Sequence, residues 1–184
     1  MKNLKEILIS AVALMLIAGV VTAALAGTNA LTADVIARRT EQAENEARQA
    51  VIAADRFDKQ SVQVGDTEQV YYVAYSAGQP VGYVFTTVAV GKSSGLTVMT
   101  GISNDGVITG VKVTEDNETA GYVDKVKKAG YLDAFADKKA EPLTVNADID
   151  AVSQATKTSK GICEAVNKAI AAYQVIQGGD GNGK

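Results

Sequence analysis

The chain has 184 residues, 47% of them hydrophobic, and a formal net charge of −3. That is room for one domain of ordinary size plus a membrane segment, and no basic run outside the extreme N-terminus offers itself to nucleic acid. Histidine is absent and Cys163 is the only cysteine, which excludes Ser-His-Asp and Cys-His catalysis, histidine metal or haem ligation, intramolecular disulfides, CxxC pairs and cysteine-ligated zinc or clusters. Redox work by such a chain has to be carried by an organic cofactor.

Residues 7–26 are almost uninterrupted apolar sequence, broken only by Ser10, Gly19 and Thr22. About twenty residues at 1.5 Å rise cover the roughly 30 Å hydrocarbon layer, so this segment is expected to be a transmembrane anchor. Lys2 and Lys5 precede it, and no Lys or Arg follows until Arg38. The positive-inside rule then puts residues 1–6 in the cytoplasm and the main domain outside. A cleavable signal peptide is the alternative, because Ala24-Leu25-Ala26 fits a small-residue cleavage pattern. The apolar run is longer than the core of such peptides, which favours a retained anchor. After a short polar bridge, Leu31 to Asp55 reads as a helix within a connecting segment, residues 27–56. Glu44 and Arg48 at i,i+4 support a solvated helical face there.

Val70 to Val90 carries strand-like content, with Tyr71, Tyr72, Val73, Tyr75, Tyr83, Val84, Phe85 and Val88, and Gly78-Gln79-Pro80 as the turn. Gly91-Lys92-Ser93-Ser94-Gly95 lacks the spacing of a phosphate loop and precedes a strand-like segment, so it reads as a hairpin connection, its backbone a candidate wall of a binding pocket. Leu96, Val98, Thr100 and Ile102 alternate, Asn104-Asp105-Gly106 supplies a hairpin turn, and Val107, Thr109, Val111 and Val113 alternate on the return. A four-stranded antiparallel sheet with one buried face follows. Helices are expected at about residues 121–136 and 159–177, and residues 178–184 form a flexible tail. The order of helix, strands and helices predicts an α+β fold, with one antiparallel-sheet domain at residues 57–177.

Two segments carry chemistry. In Ser153-Gln154-Ala155-Thr156-Lys157-Thr158-Ser159, the helical spacing of Ile162, Ala165, Val166, Ala169, Ile170, Tyr173 and Ile176 starts a helix at or just after Thr158. Unpaired N–H groups and the positive dipole end make an anion site there, Lys157 and Lys160 add charge, and Gly161 permits close backbone approach. On helix-start chemistry alone, Thr158 or Ser159 reads first as a plain N-cap. In Glu118-Thr119-Ala120-Gly121-Tyr122-Val123, Thr119 reads as a cap for the next helix with Glu118 and Asp124 solvated, or as a polar contact beside an aromatic face from Tyr122. Cys163 falls within the last helix and is expected to pack as a small apolar residue.

The Ser153–Ser159 run resembles the Ser-Gly-Ala-Thr-x-Thr-Ser signature of a covalent flavin site, with Gln154 in place of the glycine. Glu118 to Val123 resembles a Glu-Thr-Pro-Gly-Leu-Gly segment, matching at Glu118, Thr119 and Gly121; Ala120 replaces the proline, and Tyr122 and Val123 the leucine and second glycine. Asp116 stands where many members have histidine. The family is that of the G subunits of Rnf-type complexes, the C subunits of sodium-pumping quinone reductases and related FMN-binding domains. The resemblance spans residues 70–176 and the anchor. It implies FMN esterified through its phosphate to Thr158, with Ser153, Ala155, Thr156, Ser159, Glu118, Thr119 and Gly121 around it. It also implies a membrane-anchored electron carrier within a ferredoxin:NAD oxidoreductase complex that moves sodium or protons, without turnover of its own. Its partners would be the other membrane subunits of that complex and a flavin transferase that attaches FMN from FAD. A stand-alone exported flavinylated carrier, a quinone-reductase C-type subunit and a non-redox anchored binding domain are the alternatives.

Overall fold

A computed structural model of the chain describes residues 2–92, 95–118 and 120–179, and divides it into two compact units, residues 1–43 and 44–184. The described residues of the first unit are all helical and form the larger part of α1 (Lys2–Val51). Its apolar stretch is long and apolar enough to cross a membrane, and Ile7, Leu14, Leu16, Ile17 and Val20 are exposed along it. The expected break between anchor and connecting helix is absent: α1 is a single 50-residue helix. Within the polar bridge the Thr28 hydroxyl donates to the Ala24 carbonyl, and that of Thr32 to the Thr28 carbonyl, each at 2.9 Å, so both hydroxyls are satisfied without leaving the helix.

The second unit is α+β. Five strands, β1 (Arg56–Val64), β2 (Thr67–Ser76), β3 (Gln79–Val90), β4 (Gly95–Ser103) and β5 (Ile108–Asp116), form an antiparallel meander in chain order. The four strands foreseen correspond to β2–β5. The additional β1 is an edge strand with a single buried residue, Val62, so it has little apolar alternation to announce it. The first expected turn is also displaced: β2 and β3 are joined at Ala77 and Gly78, while Gln79 and Pro80 already pair with β2. The turn at residues 104–106 stands as foreseen, with Gly106 donating to the Ser103 carbonyl at 3.0 Å.

One sheet face packs against α3 (Thr156–Gln177), where Leu96, Val98 and Ile102 meet Ile162, Ala165, Val166, Ala169 and Ile170 in one buried cluster. The opposite face carries a smaller cluster in which Ala47 and Val51 of α1 join Ala74, Val84 and Met99. α1 ends there, its Val51 carbonyl accepting the Thr109 hydroxyl at 2.5 Å. Arg48 is not on a solvated face. Its guanidinium is buried 4.0 Å from the centre of the Tyr72 ring and bonds Glu44 and Asn45.

The helix expected over residues 121–136 stops early. α2 spans only Tyr122–Lys128, and a 3-10 turn covers Asp133–Phe135. Gly130, at φ 68°, donates to the Lys127 carbonyl while Tyr131 donates to that of Val126, which is the double bond of a Schellman termination. Cys163 is buried, its thiol bonded to the Leu143 carbonyl, and burial pushes the thiol pKa up.

Candidate functional site

At one end of the sheet, three pieces of chain converge. They are Gly91 and Lys92 after β3, Glu118 beyond β5 with Tyr122 at the start of α2, and the first turn of α3. α3 begins at Thr156, earlier than its apolar spacing indicates, with Ala155 as N-cap, so neither Thr158 nor Ser159 caps it. The reason is the turn before it. Ala155 donates to the Val152 carbonyl, Gln154 adopts φ 65°, and the Ser159 hydroxyl accepts from the Val152 N–H while donating to the Ala155 carbonyl, both at 3.1 Å. Ser159 is thus fully buried and ties the turn to the helix. The position where the flavin-site signature has glycine does adopt the left-handed conformation, and Gln154 bears it.

Thr158 is the third residue of the helix and is fully buried. Its hydroxyl donates to Oε2 of the half-buried Glu118 at 3.1 Å, joining residues 40 apart in the chain. The Glu118 N–H donates to Asp116 Oδ1 at 2.9 Å. On its far side the carboxylate lies against Gly91, where a Cβ would stand 2.5 Å from Oε1. Gly91 in turn meets Gly161 of α3: a Cβ on Gly161 would stand 2.9 Å from the Gly91 Cα and 2.8 Å from the Val90 carbonyl oxygen. The close approach expected of Gly161 is therefore made to the end of β3.

Beside this contact is a cleft of about 230 Å³ lined by Lys92, Tyr122, Gln154, Ala155, Thr156, Lys157 and Thr158. The Lys92 ammonium donates to the Tyr122 phenol oxygen and lies 4.0 Å from the ring centre. That bond, and then the charge of Lys92, lower the Tyr122 pKa below its ordinary value. Lys125 stands 5.5 Å from the same ring centre and donates to Gln154 Oε1 at 3.1 Å. Cationic side chains and the unpaired N–H groups of a helix start thus share one small concavity, a setting suited to an anion attached to a larger ring.

The structure brings Glu118, Ala155, Thr156 and Thr158 together, and Gly121, at φ 87°, is the N-cap of α2 next to Tyr122. Ser153 is exposed and lines a different cleft of about 500 Å³, with Gly130, Tyr131, Lys138 and residues 148–152. Thr119 lies outside the described residues, as do Ser93, Ser94 and residues 180–184. The loop after β3 was expected to offer its backbone as a pocket wall, whereas the side chains of Lys92 and Lys125 were not expected at the site. The loop after β3 was the one available signal, and it carries no pattern that says which strand end it borders.

Comparison with known proteins follows the same division of the chain. Residues 91–171 match the FMN-binding domain, and residues 1–51 match the RnfG N-terminal region. The chain is 35% identical over 188 residues to the G subunit of the Na(+)-translocating ferredoxin:NAD(+) oxidoreductase complex of Acetobacterium woodii, covering 88% of each. It is 26% identical over 156 residues to the G subunit of the proton-translocating ferredoxin:NAD(+) oxidoreductase complex of Clostridium ljungdahlii, covering 81% of this chain and 82% of the relative. To the G subunit of the ion-translocating oxidoreductase complex of Escherichia coli it is 26% identical over 186 residues, covering 90% of each. Its fold is similar to the crystal structure of Shewanella oneidensis NqrC, with a TM-score of 0.51 at 21% identity over 72% of each chain.

Proposed function

The chain belongs to the family of G subunits of Rnf-type ion-translocating oxidoreductase complexes, and from that premise we propose that it is a membrane-anchored electron-transfer subunit carrying FMN esterified to Thr158. The observation that carries this reading is the placement of Thr158. It lies on the first turn of α3, inside the segment that matches the FMN-binding domain, at the edge of a cleft lined by Lys92 and Lys157.

The residues fit the group. A phosphodiester retains one negative charge, and the α3 N-terminus with Lys92 and Lys157 offers positive potential where that charge would lie. Tyr122 presents an aromatic face beside it, backed by Lys92 and Lys125. Bound FMN supplies reversible electron transfer; the protein supplies the pocket and its electrostatics. Ser159 holds the helix start in register by its two bonds to the preceding turn. A covalent link keeps the cofactor in place on a domain outside the cytoplasm, where free FMN would diffuse away.

That location follows from Lys2 and Lys5 before the apolar stretch and the absence of Lys or Arg after it until Arg38. Its electron partners are the other subunits of the complex, and a flavin transferase matures it. Co-expression with a flavin transferase, read by in-gel flavin fluorescence and intact mass beside Thr158→Ala, tests the reading. Expected is denaturation-resistant fluorescence with the mass of one FMN, abolished in T158A. A colourless, unmodified protein despite an active transferase would leave the non-redox anchored binding domain as the better account.

A further inference from the structure

Thr158 must be reached from outside to be modified, yet it is fully buried. Its hydroxyl is held by Glu118, whose Oε2 accepts it at 3.1 Å. The carboxylate is seated between that hydroxyl and the backbone of Gly91, which has no side chain to displace it. The first turn of α3 has no acidic residue of its own, so the negative charge beside it comes from residue 118. A phosphodiester at Thr158 Oγ1 would bring a second anion to within bonding reach of this carboxylate. Two anions cannot both keep that place, because each repels the other and both compete for one helix start.

We propose that Glu118 is a latch on the modification site: in the unmodified chain its carboxylate holds the hydroxyl that the flavin phosphate must take, and attachment of the phosphate beside it drives the carboxylate away. The latch rests on the covalent reading of Thr158. Attachment forms the bond from Thr158 Oγ1 to phosphorus and breaks the phosphoanhydride of FAD. AMP is the leaving group, and the hydroxyl proton passes to the transferase or solvent. The Thr158 hydroxyl first has to give up its bond to Glu118, so that bond sets a threshold for loading. Once FMN is attached, the carboxylate has lost the Thr158 donor and gained a neighbour of like charge. The bond between Thr158 and Glu118 therefore supports the unmodified form and not the loaded one.

The experiment uses the full chain in detergent, with a flavin transferase and FAD, comparing wild type with Glu118→Ala and the isosteric Glu118→Gln. Loading is followed by intact mass, and melting is measured before and after loading. Both variants are expected to load several-fold faster than wild type, to lower the melting temperature of the unmodified protein, and to leave that of the loaded protein unchanged or raised. Loading at the wild-type rate or slower, or equal destabilisation of both forms, would overturn the latch while the mass of attached FMN upheld the covalent reading. If E118A does not fold, E118Q carries the same expectations. Failure of the wild type to take up FMN would overturn the covalent reading and the latch with it.

Discussion

Gly161 on α3 and Gly91 after β3 meet without side chains between them, a Cβ on Gly161 falling 2.9 Å from the Gly91 Cα. The contact fixes how far the start of α3 stands from the end of the sheet, and so the distance from Thr158 to the segment bearing Glu118. Gly161→Ala gains helix propensity of about 1 kcal/mol but forces backbone apart, at about 1–3 kcal/mol. The second effect acts against rigid backbone and prevails, so the urea midpoint should fall. A midpoint unchanged or higher would mean that the strand end yields freely.

Gln154 holds φ 65° immediately before the α3 cap. A non-glycine residue there costs about 1 kcal/mol or more, and glycine adopts the conformation readily. Gln154→Gly should therefore stabilise the domain by about 1 kcal/mol, less the small contribution of the exposed bond from Lys125. Equilibrium denaturation of the two proteins decides it: a less stable variant would mean that the Lys125 contact outweighs the strain.

Thr100 and Thr87 are both buried hydroxyls on the face toward α3, with opposite circumstances. Thr87 donates to the Ala165 carbonyl at 2.8 Å, whereas Thr100 Oγ1 has no hydrogen-bond partner among the described residues. Replacing an unsatisfied hydroxyl by an apolar group of the same shape is neutral or stabilising, while removing a satisfied one costs about 1 kcal/mol. Thr100→Val should hold or raise the melting temperature and Thr87→Val should lower it. Similar losses for both would show that Thr100 is bonded in solution.

Tyr131 gives a pH-dependent contrast. Burial, with a smaller effect from Cys163, pushes its phenol pKa well above the ordinary tyrosine value, and its hydroxyl donates to the Ser159 carbonyl at 2.9 Å. A folded-state pKa raised above the unfolded value leaves its stability contribution intact below the unfolded value, about pH 10, and erodes it as pH climbs from there toward the folded value. Tyr131→Phe should cost about 1 kcal/mol at neutral pH through the lost bond, and the gap to wild type should narrow above about pH 10. Parallel stability curves into the alkaline range would show that Tyr131 ionises as freely folded as unfolded.

The site was readable in the sequence only in part. Thr158 and Glu118 stand out as members of two recognisable strings, and the helix after Thr158 announces itself through the spacing from Ile162 to Ile176. That the two strings meet, hydroxyl to carboxylate, is a contact over 40 residues that no local pattern records. Lys92 carried no sign of its role. A lysine in a turn looks the same whether it faces solvent or, as here, covers the ring of Tyr122. Ser153 shows the converse, since it belongs to the string but lines a different cleft.

The chain's own pattern was enough to establish the apolar helix at the N-terminus, the alternating strands β2 to β5, the turn at residues 104–106 and the amphipathic α3. Each is written in spacings of two to four residues, over which backbone geometry alone decides which side chains share a face. Tertiary structure decided the rest. The mostly polar β1 is a strand because β2 offers it a ladder, and α1 ends where Thr109 takes its Val51 carbonyl. α2 is cut short where Gly130 permits the chain to turn, so that Tyr131 and Phe135 reach the core. α3 starts at Thr156 because Ser159 closes the turn behind it, and Glu118 comes to rest on Thr158 because Gly91 and Gly161 let strand and helix approach. These contacts join residues far apart in the chain, and their free energy exists only once the sheet and helices have packed.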